Sequence, residues 1–195
     1  MQASIKLLIV CSVILFACDS LSKRYDSGLV TTGKVGEILV VCDQGVWNSD
    51  IKKYLDTNLT QFVMPYFPDV TTFELLHRKP ERFDGAIKRH RNTLFLKLDA
   101  NHKGGVKVKY NEVAWAKNQH VVELIAKDYN QLLGFCKNKL ASIHDFFDKN
   151  EWIRLLKSYK RISNNKLNTN LNDNFKIKLS FPKGAKIVYK KKNFF

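Results

Sequence analysis

The sequence predicts an α+β fold in which a mixed β-sheet is covered by helices, followed by the start of an incomplete second β-rich portion. A three-layer α/β sandwich is the alternative. Three observations carry this reading. The chain has 195 residues, 45% hydrophobic and 26% charged, which suits one ordinary domain with a core of its own. Short apolar or alternating runs at 37–43, 71–76, 92–98 and 106–126 read as strands. Apolar residues at helical spacing mark 49–60, 80–90 and 128–162.

The first strand, Glu37 to Asp43, is continuously apolar from Ile38 to Cys42, as expected when both faces are buried. Asn48 or Ser49 then caps a helix whose Ile51, Leu55 and Leu59 share one side. Pro65 and Pro68 interrupt the chain before the β-rich run Thr71 to Leu76. Pro80 suits the first turn of a helix that places Phe83 and Ile87 four residues apart. From Asn92 to Leu98, Leu94, Leu96 and Leu98 alternate with Thr93, Phe95 and Lys97, a strand pattern.

Gly104-Gly105 opens a hairpin in which Val106 to Trp115 and His120 to Ala126 flank Lys117-Asn118-Gln119, with Trp115 on the inward face of its strand. Asp128 caps a long helical stretch through Tyr129, Leu132, Leu133, Cys136, Leu140, Ile143 and Phe147. The apolar phase slips at Asp148-Lys149-Asn150 and resumes at Trp152, Leu155, Leu156 and Tyr159, which predicts a kink or a break. Asn164 to Asn174 reads as an Asn-rich connector. Phe175, Ile177, Leu179 and Phe181 alternate with Lys176, Lys178 and Ser180 as a half-buried strand, turned by Pro182-Lys183-Gly184 into Lys186 to Lys190.

The N-terminus carries the strongest signal of location. A basic start to Lys6 precedes a ten-residue apolar run, Leu7 to Phe16, half the length a membrane span needs and typical of a secretory signal. It ends in Leu15-Phe16-Ala17-Cys18, which resembles the lipobox of bacterial lipoproteins and makes Cys18 the expected lipid-attachment residue. The expected organisation is a signal peptide at 1–17, a lipidated tether at 18–34, an α+β domain at 35–162, and the start of the C-terminal portion at 163–195. After removal of Cys11 and lipidation of Cys18, Cys42 and Cys136 remain. Both lie in apolar patterns and read as core thiols, with a disulfide between them as the alternative.

The net charge of +15, from 33 basic and 18 acidic residues, raises the question of an anionic partner. Of the basic residues 26 are Lys and 7 are Arg, beside 16 Asn, a composition that an AT-rich genome produces without selection for nucleic acid. Export removes genomic DNA from reach, so no nucleic-acid partner is expected. An anionic lipid surface or another envelope protein remains. Residues 128–195 hold 15 basic and 5 acidic groups, against 17 and 13 for 18–127, so the excess lies in the later part of the chain.

Motifs for catalysis or cofactors are sparse. Gly28 to Lys34 has phosphate-loop spacing, but Val35 stands where a Mg²⁺-binding hydroxyl belongs, and the stretch opens a strand rather than a helix. His77, His90, His102, His120 and His144 have no metal-ligand spacing, so no metal or cofactor is expected. Arg89-His90-Arg91 is either an anion site or, more simply, the basic end of a helix. Glu74, Glu81, Asp84 and Glu112 are the candidates for an acid/base pair.

Several motifs together resemble an uncharacterised bacterial lipoprotein family, a domain of unknown function. They are Gly33-Lys34 with Gly36-Glu37, Val40-Val41-Cys42-Asp43, Trp47, Phe73, Arg91-Asn92, Trp115-Ala116-Lys117 with Gln119, and Pro182-Lys183-Gly184 followed by Asn193-Phe194. The resemblance implies a longer protein, of which this chain is the N-terminal part, and no established activity. In place of that family's Leu-Pro-Gln-x-Glu-Pro signature stands Met64-Pro65-Tyr66-Phe67-Pro68, and Asn118 replaces a common Pro. The expected function is a lipid-anchored cell-envelope protein with a binding or scaffolding role. The alternative is an envelope hydrolase whose active site lies largely in a missing C-terminal part. A cleft with convergent carboxylates or a perturbed His would favour the enzyme; an exposed apolar or basic patch would favour binding.

Overall fold

The apolar runs are too short for core helices and too apolar to face water on either side, and they assemble into one five-stranded sheet. The structure, a computed structural model, describes residues 28–63, 70–112 and 114–188. The expected signal peptide, Cys18, Met64 to Pro68 and the motif residues Asn193-Phe194 lie outside them. The strands are β1 (Glu37–Val41), β2 (Glu74–Arg78), β3 (Asn92–Leu98), β4 (Lys107–Asn111) and β5 (His120–Ala126). Their order is β2-β1-β3-β5-β4; β2, β1, β3 and β5 run parallel and β4 is antiparallel to β5, so the sheet is mixed. Glu37 pairs with Glu74, and Asn92 with His120. Parallel pairing therefore gathers these polar residues at one end of the sheet.

The helices are α1 (Gln44–Trp47), α2 (Asp50–Leu59), α3 (Tyr129–Lys139), α4 (Ala141–Arg161) and α5 (Asn165–Phe175). On one face of the sheet Ile38, Val40, Cys42, Leu94, Leu96, Val122 and Leu124 pack with Ile51, Leu55 and Leu59 of α2, Leu132 and Cys136 of α3, and Ile143 and Phe147 of α4. The other face holds a smaller cluster of Leu39, Val41, Phe95 and Val121 under Phe83, Ile87 and Trp115. Turns and a loop cover this second face, which makes the molecule α+β rather than a three-layer sandwich. Cys42 and Cys136 are buried free thiols. Burial pushes both up to about 12, assisted at Cys42 by Asp43 and at Cys136 by Cys42.

Five expectations change at the level of elements. The β-rich run 71–76 pairs two residues later, as Glu74–Arg78. The helix expected at 80–90 is two 3₁₀ turns, Pro80–Arg82 and Gly85–Arg89, because Gly85 takes φ +49° and breaks the helical path. The first hairpin strand ends at Asn111, so Trp115 sits in a loop, half-buried against Phe83 and Phe95, rather than on a strand. The kink expected at 148–150 is absent, and α4 runs unbroken from Ala141 to Arg161; the break falls at Leu140, between α3 and α4.

The last change is the largest. The Asn-rich connector is helix α5, where the Asn164 side chain accepts from the Leu167 N–H and Leu167 and Leu171 are buried one turn apart. Lys176 ends that helix in a left-handed conformation, φ 56°, just where a strand was expected to begin. Residues 176–182 then fold back on α5 instead of joining the sheet: the Phe181 N–H donates to Asn168 Oδ1 at 2.9 Å, and Ser163 bridges Pro182.

Candidate functional site

The N-terminal ends of the parallel strands carry Glu37, Asn92 and His120, and α4 passes across the same end with Glu151 and Arg154. Side chains that would ordinarily seek water are buried there, so each must find a partner. Glu151 finds three. Its Oε2 accepts from Arg91 Nη2, and its Oε1 accepts from Asn92 Nδ2 and from Arg154 Nη2, each at 2.7 Å. Arg154 in turn donates to Asn92 Oδ1 at 2.5 Å and to the Asn118 carbonyl at 2.7 Å. Burial pulls the Arg154 guanidinium below its ordinary value; Glu151 opposes this and Arg91 adds to it.

A second pair adjoins this network. Asn92 Nδ2 also donates to the Glu37 carbonyl at 3.0 Å, tying β3 to β1. The Glu37 carboxylate accepts from the Lys34 N–H at 2.7 Å, and its Oε2 lies 3.4 Å from His90 Nε2. A carbonyl can only accept, so the 2.9 Å contact between His90 Nδ1 and the Asn92 carbonyl fixes the ring proton on Nδ1. Gly33, at φ +86°, closes over this ring; a Cβ there would stand 2.5 Å from His90 Nε2. The strand of residues before β1 is laid on the domain as well, with Thr32 N–H donating to the Arg89 carbonyl and Arg91 N–H to that of Thr32. Residues 29–34, expected as the end of a tether, thus form one wall of the site.

Gln119, wholly buried, brackets the loop that follows. Its Nε2 donates to the carbonyls of Lys88 and His90, and its Oε1 accepts from the Trp115 N–H. The Trp-Ala-Lys-x-Gln motif is therefore a fastening for the polar end, with Ala116 wholly buried. His120 packs edge-on against Phe146, with its Nδ1 buried and without a partner among the described residues. Burial holds it down to about 4, and Arg154 and Lys157 push in the same direction, so the ring is neutral at pH 7.

Between residues 30–35 and α4 lies a cleft of about 640 Å³. Arg91, Glu151 and Arg154 form its floor, Lys157, Lys160 and Arg161 its basic rim, and Val30, Val35 and Leu155 an apolar wall. On the outward side of α4, away from this cleft, Trp152, Leu156 and Tyr159 are 57%, 55% and 46% exposed at i, i+4 and i+7 spacing. Lys149 and Lys160 are exposed on the same helix.

The expected acid/base candidates do not converge. Glu74, Glu81, Asp84 and Glu112 are all exposed, and none joins the buried network. His77 stacks on Trp47 at 4.6 Å and bonds the Cys42 carbonyl, His102 bonds the Gly105 carbonyl, and His144 meets Thr72. Among the described residues no three His, Cys, Asp or Glu side chains are placed to hold a metal ion. Arg89-His90-Arg91 contributes through its last two members, His90 bonding the Asn92 carbonyl through Nδ1 and Arg91 pairing with Glu151. Glu151 and Arg154 were missed by sequence reasoning; the signal was the slip in apolar phase beside them.

Residues 31–160 match the model of a family described as Domain of unknown function (DUF8532). No curated protein and no solved structure matches the chain.

Proposed function

The chain belongs to the DUF8532 family, and from that premise we propose that it is a lipid-anchored cell-envelope protein, attached through Cys18, whose domain has a binding role at an anionic lipid surface. The observation that carries the binding role is the outward side of α4. Trp152, Leu156 and Tyr159 form an apolar stripe in water, with Lys149 exposed on the same helix. A helix with Trp and an aliphatic residue on one line and an exposed lysine suits the boundary between headgroups and acyl chains. The excess of basic over acidic groups in residues 128–195 adds attraction of the right sign. His120 is a perturbed His of the kind the enzyme alternative calls for, but it does not line the cleft, where Glu151, the one carboxylate among the described lining residues, is engaged by three donors, and so binding is the reading preferred.

Two measurements test this. Metabolic labelling with a clickable fatty acid is expected to mark the wild-type chain and not Cys18→Ala; label retained in the variant overturns the anchor. The lipid-free chain from residue 19 is expected to sediment with phosphatidylglycerol vesicles and not with phosphatidylcholine vesicles. The double variant Trp152→Ser/Leu156→Ser is expected to lose most of that binding. Equal binding by the variant refutes the role given to α4, and capture of a protein instead of lipid would reassign the same surface to an envelope partner.

A further inference from the structure

The cleft on the other side of α4 carries a separate inference, independent of lipidation and of membrane docking. Arg91 and Arg154 share one carboxylate, Glu151, so the buried network holds one positive charge more than it neutralises. The other nearby acid, Glu37, is paired with Lys34, whose Nζ lies 3.9 Å from its Oε1 and whose N–H donates to its Oε2. Both arginine Nε atoms are buried without a hydrogen-bond partner among the described residues, and Arg91 bonds through Nη2 alone. Arg154 is held rigid by the Asn118 carbonyl and Asn92 Oδ1, so its guanidinium is fixed before any ligand arrives. The rim adds Lys157, Lys160 and Arg161 and no further carboxylate.

We propose that this cleft binds a small organic anion, a phosphate or carboxylate carried on an apolar body. The oxyanion sits against Arg91, whose Nη1 has no hydrogen-bond partner among the described residues, while Arg154, with all four Nη hydrogens directed to Asn92, Glu151 and the Arg91 and Asn118 carbonyls, adds fixed positive charge beneath it. The apolar body lies along Val30, Val35 and Leu155, and a cleft of about 640 Å³ has the size of a small-molecule site. Glu151 competes with the ligand for Arg91 and so sets the affinity; Lys157 and Lys160 attract the anion from outside.

Calorimetric titration of the full chain in a non-ionic detergent at 0.15 M NaCl tests this with inorganic phosphate, phenyl phosphate, benzoate and benzyl alcohol. Phenyl phosphate and benzoate are expected to bind more tightly than inorganic phosphate, and benzyl alcohol not to bind. Glu151→Gln removes the competing charge and is expected to tighten binding by about tenfold, and Arg91→Gln to weaken it by at least about tenfold. Where a variant of the buried network melts early, Lys157→Gln/Lys160→Gln decides, with an expected weakening of about three- to tenfold. No binding by either organic anion overturns the proposal, as does equal affinity in Lys157→Gln/Lys160→Gln and wild type. Benzyl alcohol binding as well as benzoate would reduce the site to an apolar groove and also refute it.

Discussion

In its first half α4 turns Ile143 and Phe147 into the core beneath the sheet; in its second half the same inward side carries Glu151 and Arg154, while Trp152, Leu156 and Tyr159 point outward. One helix thus follows two opposite rules along its length. The first half is stabilised by removing apolar area from water, at about 25 cal/mol per Å². The second half buries an ion network that is stable only while every member is present. Apolar groups turned outward and charges turned inward contribute little to folding, which is why this half is where binding is placed.

The largest expected effect tests the first half. Phe147 is wholly buried and packs edge-on to Phe73 and against Phe146, so Phe147→Ala should destabilise the domain by about 3 to 5 kcal/mol, read from the urea midpoint. A change below about 1 kcal/mol would mean that the first half does not pack as described. Glu151→Ala tests the second half by leaving Arg91 and Arg154 buried without their carboxylate, for a loss of about 3 kcal/mol. Glu151→Gln keeps the side-chain volume and one of the two acceptor oxygens and should lose less. Equal losses in the two variants would show that the charge of the carboxylate alone, and neither its volume nor a retained acceptor, holds this end together.

The contrast between the two halves also explains what could be read in advance. The runs Ile38 to Cys42 and Leu94 to Leu98 identify β1 and β3 because burial dictates their composition, and Ser49 before Ile51 and Leu55 identifies α2. Phe147 and Ile143 follow the helical period and were placed in the core for the same reason. Beyond Asp148 the apolar period jumps, and it reads as a kink only if apolar residues are assumed to face inward. The helix keeps its path and the assumption fails, since Glu151 and Arg154 take the inward positions. Helix α5 was hidden by its Asn content, which favours turns locally; its cap at Asn164 and the Leu167 and Leu171 pair were the legible signals. Of the site, Glu37, Asn92 and Gln119 were singled out only through the family resemblance, because a polar residue at a strand end gives no sign of being buried; Arg91 was legible as well in Arg89-His90-Arg91, with an anion site as one of its two readings.

Acid should separate the two halves further. His120, beside Arg154 and Lys157, is held down to about 4, below its ordinary value near 6.5. The unfolded chain therefore takes up a proton there that the folded chain refuses. Stability is full above pH 6.5 and is lost as pH falls toward 4, by an amount on the order of 2 kcal/mol at the lower end. His120→Gln should flatten that limb of the stability profile. An unchanged acid limb would show that His120 does not govern it.

The smallest effect is the most discriminating. Trp152 and Leu156 are large apolar residues, and in a core position their truncation would destabilise by several kcal/mol, about as much as Phe147→Ala. On the outward side of α4 they are more than half exposed, so replacing both with Ser removes little buried area. The helix itself loses only the modest difference in propensity between these residues and Ser. Trp152→Ser/Leu156→Ser should therefore shift stability by about 0.5 kcal/mol or less, while abolishing most vesicle binding. A loss of stability comparable to Phe147→Ala would mean that another part of the chain covers the stripe. The two halves of α4 would then follow one rule, and the outward surface would have to be removed from the account of binding.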